Sequence, residues 1–203
     1  MSLSLRDKLV LDGKSWSIPV GAVTAGADLN PITGGGNGTV IDANQPEVYV
    51  GVDAGFYLIP LSVRVSGHVD MDANAEDGDI VAFLDRATAP DTSATATVTA
   101  PLNLLDDSDG GASFPGRCYT AVTGDVTNHV VSQLLDAVHI QGSDNGTAAN
   151  LVSNELKMDY QPTSLTLAAG PCSLLVAWGG VAAVPGMAAV EVAVVPLNYD
   201  FGS

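Results

Sequence analysis

The chain has 203 residues, a length within the range of one β-sandwich or barrel domain, so a single core is expected. Hydrophobic residues make up 46 % of the chain and aromatic residues only 5 %, which predicts a core of Val, Leu, Ile and Ala. Seven Lys and Arg against 23 Asp and Glu give a formal charge of -16, which repels phosphates and excludes nonspecific nucleic-acid binding.

Residues 1–45 are predicted to form an extended N-terminal arm and loop. Gly and Pro interrupt this segment, and the stretch from Asn30 to Gly38 is rich in glycine. The isolated apolar side chains of the arm are Trp16, Ile18, Val20 and Val23. Because they have no local core, we expect them to act as assembly anchors that are buried against a neighbouring subunit.

Residues 46–203 are predicted to form one β-sandwich domain that begins with a strand at 47–51. Residues 61–69 alternate apolar and polar side chains, which is typical of a half-solvated antiparallel strand. Residues 79–84 are apolar on both faces and predict a central strand. Residues 93–100 alternate threonine with small apolar residues, as an outer strand does.

One short helix is predicted between residues 125 and 138. Either Asp125 or Thr127 would be its N-cap, and His129 would lie on its polar side. The apolar residues that recur at helical spacing are Val130, Val131, Leu134, Leu135 and Val138.

The last fifty residues return to strand patterns at 155–160, 164–167, 173–178 and 188–195. The chain as a whole thus contains about eight to ten short strands separated by Gly, Pro, Asn and Asp turns. The predicted fold is all-β, a jelly-roll-like β-sandwich with one short helix.

The densest cluster of oxygen ligands lies at residues 70–79. The residues with the spacing of the start of a calcium loop are Asp70, Asp72, Asn74 and Glu76. The turn glycine and the bidentate glutamate of such a loop would fall at Ala75 and Val81, so the match is partial. A solvated acidic turn is the simpler interpretation, with calcium as the alternative, and no other cofactor is predicted.

Catalytic motifs are missing from the sequence, and no enzymatic activity is expected. There is no GxSxG elbow, and the three histidines have no spacing that would place two of them on one metal. Cys118 and Cys172 match no CxxC motif and are predicted to be buried, reduced thiols.

The order of segments is a turn-rich arm, Val- and Ala-rich strands from Glu47 to Asp85, and a second strand set that ends with Val190 to Leu197. This arrangement resembles the single jelly-roll capsid proteins of viruses, including bacteriophages, over most of the chain. The resemblance implies a virion structural protein, either a capsid or a capsid-decoration subunit, that self-assembles through its sheet edges and its N-terminal arm. Its partners would be further copies of the chain and other virion proteins.

The resemblance also implies a location in the virion after synthesis in a host cytoplasm. The charges after Met1 do not fit a signal peptide, and no apolar run reaches the length of a membrane helix, so membrane insertion is not expected. The basic arm of genome-binding capsid proteins is missing, so direct nucleic-acid contact is not expected either. The alternative function is an extracellular adhesin or a carbohydrate-binding β-sandwich module, stabilised by calcium at residues 70–79.

Overall fold

The computed structural model describes residues 4–23, 29–34, 41–68, 77–86, 97–106, 108, 113–126, 129–141, 155–180 and 184–201. Within these residues two antiparallel sheets lie face to face, and the predicted all-β sandwich with one short helix is confirmed. The positions of the helix and of the N-terminal segment differ from the prediction.

The described elements in chain order are α1 (Leu5–Leu11), β1 (Ser15–Val20), β2 (Ala22–Val23), β3 (Leu29–Asn30), β4 (Ile32–Gly34), β5 (Val48–Val52), β6 (Phe56–His68), β7 (Asp77–Asp85), β8 (Thr97–Val98), β9 (Leu102–Asn103), β10 (Arg117–Thr120), β11 (Val131–Gln141), β12 (Glu155–Tyr160), β13 (Ala168–Ala169), β14 (Cys172–Gly180) and β15 (Val184–Pro196).

Sheet I, the first of the two, has the strand order β12-β6-β15-β1-β9, with β13 paired to β6 and β4 paired to β15. Its centre is the long antiparallel pair of β6 and β15, which contains one bulge at Leu61 of β6. Sheet II has the order β11-β7-β14-β5-β10-β8, and β2 pairs separately with β3. The edge strands β11 and β12 lie next to each other, so this side of the sandwich presents the edges of both sheets.

The main core fills the space between the inner faces of the two sheets and includes both tryptophans. Two glycines leave room for the ring of Trp178. A Cβ atom added at Gly34 would lie 2.1 Å from the Trp178 carbonyl oxygen, and one at Gly186 would lie 2.7 Å from the indole Nε1. These contacts are too close for any side chain, so the tryptophan and the two glycines form one packing unit.

The N-terminal segment belongs to the sandwich, so the prediction of an extended arm is wrong for residues 5–20. β1 lies between β15 and β9 in sheet I, and its partner residues on β15 run from Ala193 to Ala188. The predicted assembly anchors Trp16, Ile18 and Val20 are at most 2 % exposed and belong to the main core. The surface that buries them is supplied by the same chain, since Gly and Pro disrupt local structure but do not prevent pairing with a distant strand.

α1 is a short helix with a complete N-terminal cap. The Ser4 hydroxyl accepts a hydrogen bond from the backbone N–H of Asp7, and the Asp7 carboxylate accepts one from the backbone N–H of Ser4. This bonding lowers the pKa of Asp7. Leu9 is fully buried on the outer face of sheet I, where its cluster contains Ile59, Leu61, Ala193 and Val195.

The helix predicted at residues 125–138 is wrong, because residues 131–141 form the strand β11. β11 pairs with β7 and has two register shifts, which leave Ser132 and Leu135 as extra residues. A bulge moves the period-two alternation of a strand by one position. Two bulges three residues apart therefore placed the apolar side chains at the three- and four-residue spacing of a helix.

Most other strand predictions are confirmed. Five predicted strands lie within or nearly match observed ones: 47–51 in β5, 79–84 in β7, 155–160 in β12, 173–178 in β14 and 188–195 in β15. The strand predicted at 164–167 is wrong, since β13 begins only at Ala168. Of the predicted strand at 93–100, Thr97–Val98 form β8 and residues 93–96 lie outside the described residues.

Candidate interaction surface

Two His–Asp pairs fix β11 against β7. Near the start of β11 the fully buried Asp85 carboxylate lies 2.6 Å from Nδ1 of His129 and accepts a 3.1 Å hydrogen bond from the backbone N–H of Val130. Toward the other end, Asp79 lies 2.8 Å from Nδ1 of His139, its direct partner in the strand register. His129 is therefore a largely buried structural residue and not part of a helix surface.

The outer surface of β7 and β11 is apolar and forms a groove of about 470 Å³. We call it the β11 face. Its outward side chains are Val81, Phe83, Val131, Leu134 and Ala137, with Ile41 and Ala43 beside them and the Asp79–His139 pair at one end. On this face Val131 is 56 % exposed and Leu134 is 59 % exposed, so large aliphatic groups here are in contact with water. An apolar surface of this kind is typical of an interaction site.

The edge of β11 carries features that oppose the addition of another strand. Its two bulges interrupt the regular pleat. The Asp136 carboxylate also accepts a 2.9 Å hydrogen bond from the backbone N–H of Ala137. Bulges and charged groups on edge strands are common protections against edge-to-edge aggregation. Contacts on this side of the sandwich are therefore expected to use the face of β11 and not its edge.

The outer face of sheet I has a different chemistry. A hollow of about 420 Å³ is lined by Met187 and Ala189 and by the charged side chains of Arg64, Lys157 and Asp159. Glu191 is paired with both Arg64 and Arg6, and Lys157 is paired with Glu155. This surface thus carries a network of opposite charges around an apolar hollow, whereas the β11 groove is lined by a single His–Asp pair among apolar side chains.

α1 and residues 197–201 pack together on the outer face of sheet I. The Lys8 ammonium donates a 2.6 Å hydrogen bond to the Asp200 carbonyl and lies 5.4 Å from the ring centroid of Tyr199. The Tyr199 hydroxyl donates to the Asp12 carboxylate, and burial together with this carboxylate raises the pKa of Tyr199 to about 12. α1 and residues 197–201 therefore hold each other in place over the outer cluster of sheet I.

A second buried acid, Glu47, accepts a hydrogen bond from the backbone of sheet II. Glu47 is 5 % exposed, and its Oε2 accepts a 2.7 Å hydrogen bond from the backbone N–H of Trp178. The pairing of β5 with β14 ends at Val48 opposite Val176, so Trp178 lies beyond the last backbone partner from β5. The carboxylate supplies the acceptor that the backbone of β5 no longer offers.

The two cysteines are free and buried, as predicted. Cys118 lies opposite Val50 and Cys172 opposite Val52 on the two sides of β5. They are separated by two strand spacings and by two residues along the strand, which together give about 12 Å. A disulfide requires Cα atoms within about 7 Å, so these two thiols do not pair. Burial raises the pKa of Cys118 to about 12 and that of Cys172 to about 11, which keeps both thiols protonated and unreactive.

The predicted site residues do not form a single site. The calcium candidates Asp70, Asp72, Asn74 and Glu76 lie outside the described residues, as does the side chain of Val23. Among the residues that the structure describes, no group of three or more His, Cys, Asp or Glu side chains could hold a metal ion. The β11 face was not predicted, because its apolar residues were assigned to a helix.

Comparison of the chain with protein-family models, with curated proteins and with solved structures found no match in any of the three. Within the described residues, no helix has the length and apolar character needed to cross a membrane. The functional proposal therefore rests on the sandwich and on the chemistry of its exposed faces.

Proposed function

We propose that this protein is a structural subunit of a virion, a capsid or capsid-decoration protein that self-associates through the outer face of sheet II. The observation that carries the proposal is the pair of large aliphatic side chains on β11 that line the groove and are more than half exposed, Val131 and Leu134. A sandwich with a filled core and an apolar outer face has a surface that gains free energy when another protein covers it.

The size of this gain favours an assembly of many contacts. Full burial of a Val or Leu side chain contributes about 1.5–3 kcal/mol, and roughly half of that remains available for each of Val131 and Leu134. Two copies meeting at this face would gain on the order of 3–6 kcal/mol, which is opposed by the entropy lost on association. Such a contact is weak for an isolated pair and sufficient where many subunits add their contacts together.

The composition and the resemblance agree with this function. The resemblance to single jelly-roll capsid proteins implies a shell subunit, and a formal charge of -16 does not suit contact with a packaged genome. Partners within a virion would therefore be other copies of the chain and other virion proteins. The N-terminal segment is no longer part of the proposed contact, because its anchors are buried in their own subunit.

The experiment that tests this function is the particle mass of the intact protein as a function of concentration, by light scattering and negative-stain electron microscopy. The proposal expects closed particles, sheets or defined oligomers above a threshold concentration. A protein that remains a 20.6 kDa monomer and instead binds a glycan, in a manner lost on addition of EDTA, would favour the binding-module alternative.

A further inference from the structure

We propose that the β11 face docks against the β11 face of a second copy, forming a two-fold symmetric dimer. This inference rests on the proposed function, because it names the first contact through which the subunits associate. The occupant of the groove is thus a second copy of this chain.

The distribution of charge favours this pairing. The chain carries 23 acidic residues against seven basic ones, so two copies repel each other over most of their surfaces. Asp79 is the only carboxylate among the side chains that line the β11 groove, and it is already paired with His139. Depletion of charge is also the compositional mark of an interface core. Among the outer surfaces that the structure describes, the β11 face carries the least charge. Two copies therefore approach each other there with the least electrostatic repulsion.

The shape of the face is self-complementary. Leu134 stands 59 % exposed at the side of a groove whose floor includes Val81 and Phe83. A two-fold axis through the face would place the Leu134 side chain of each copy over the groove of the other, which is the reciprocal geometry of an isologous contact. Asp79 and His139 lie toward the rim of the groove, where water still solvates them.

The area is sufficient for a specific contact. β11 is about 36 Å long at about 3.3 Å per residue, and β11, β7 and the adjoining residues 41–43 span about 14 Å across. Each copy thus contributes roughly 500 Å², for a total of about 1,000 Å², which is near the lower limit for a specific protein interface. The expected dimer is therefore weak, with a dissociation constant on the order of a millimolar.

Analytical ultracentrifugation of the full chain tests this arrangement, with Leu134→Asp as the disrupting variant. Leu105→Asp is the matched control, since Leu105 is 54 % exposed on another part of the surface and receives the same change of charge. We expect the wild type and Leu105→Asp to dimerise equally, and Leu134→Asp to dimerise at least about tenfold more weakly. Unchanged circular dichroism would show that both variants fold.

Two further measurements make the inference specific. Raising the salt from about 0.02 to 0.5 M should tighten the wild-type dimer about tenfold or more, because salt screens the repulsion between acidic chains and leaves apolar contacts intact. Ala137→Cys should form an intermolecular disulfide under mild oxidation, while Ser66→Cys on sheet I should not. The native cysteines are buried and do not interfere.

The outcomes separate this inference from the proposed function. Self-association that Leu134→Asp leaves unchanged, or that weakens with salt, would overturn the β11 dimer and leave a structural subunit that assembles through another face. A wild type that stays monomeric in 0.5 M salt at millimolar concentration would overturn both.

Discussion

The substitution Asp85→Ala is expected to weaken the sandwich at the point where β11 begins. The Asp85 carboxylate is fully buried and accepts the backbone N–H of Val130 at 3.1 Å, with His129 Nδ1 at 2.6 Å. Its removal leaves both groups without this acceptor, at a cost of about 1–3 kcal/mol each, so the free energy of unfolding should fall by about 4 kcal/mol. For a domain of this size the corresponding decrease in Tm is about 8–16 °C.

Urea unfolding, followed by the fluorescence of the two core tryptophans, measures this loss. The matched control is Asp79→Ala, which removes the acid of the second His–Asp pair on the same two strands. That pair is exposed, with 57 % of the His139 side chain accessible, so the control should cost no more than about 1 kcal/mol. Asp85→Asn keeps one acceptor oxygen and should fall between the two. Equal losses for Asp85→Ala and Asp79→Ala would refute the assignment of Asp85 as a buried structural acid.

Three further changes test other parts of the structure. Glu47→Ala should reduce the free energy of unfolding by about 1–3 kcal/mol, because the Trp178 N–H loses its acceptor, whereas Glu47→Gln keeps an acceptor oxygen and should cost less. Urea unfolding midpoints compare the two variants, and equal losses would contradict the role of Glu47 as the acceptor for Trp178. Burial raises the Cys118 pKa from 9.0 to about 12, so the protonated thiol should contribute its whole share of the free energy of unfolding below about pH 9 and lose it progressively toward pH 12. When the free energy of unfolding is measured from about pH 8 to 11, it should therefore fall less steeply in Cys118→Ala than in the wild type. Deleting residues 1–25 removes α1 and β1 and should give an unfolded chain by circular dichroism; a folded monomer would contradict the integration of β1 into sheet I.

The sequence predicts much of this fold because most strands keep a regular alternation or an unbroken apolar run. β12 has its predicted boundaries, and the central strands β7 and β14 are apolar on both faces, as buried strands are. β1 was harder to predict, since it contains Pro19, is followed at once by Gly21, and pairs with β15, which lies about 170 residues further along the chain. Pairing over such a separation depends on tertiary contacts that no local pattern contains.

The β11 face could not be predicted from the sequence for the same reason, because its geometry depends on pairing with a distant strand. The bulges at Ser132 and Leu135 gave β11 the periodicity of a helix, and they depend on its pairing with β7. The contact between Asp85 and His129 joins residues 44 positions apart, so neither residue marks the other in the sequence. One signal was present: Val130 and Val131 are adjacent large apolar residues, as are Leu134 and Leu135, and a strand that buries one face exposes one member of each such pair.

If the protein is a self-associating structural subunit, as we claim, its mass in solution must exceed that of one chain. Light scattering on the intact protein at rising concentration, in about 0.5 M salt to screen its charge, should give masses that grow from 20.6 kDa to at least twice that value and then to larger assemblies. A mass that stays at 20.6 kDa up to millimolar concentration, in a protein that circular dichroism shows to be folded, would contradict the claim.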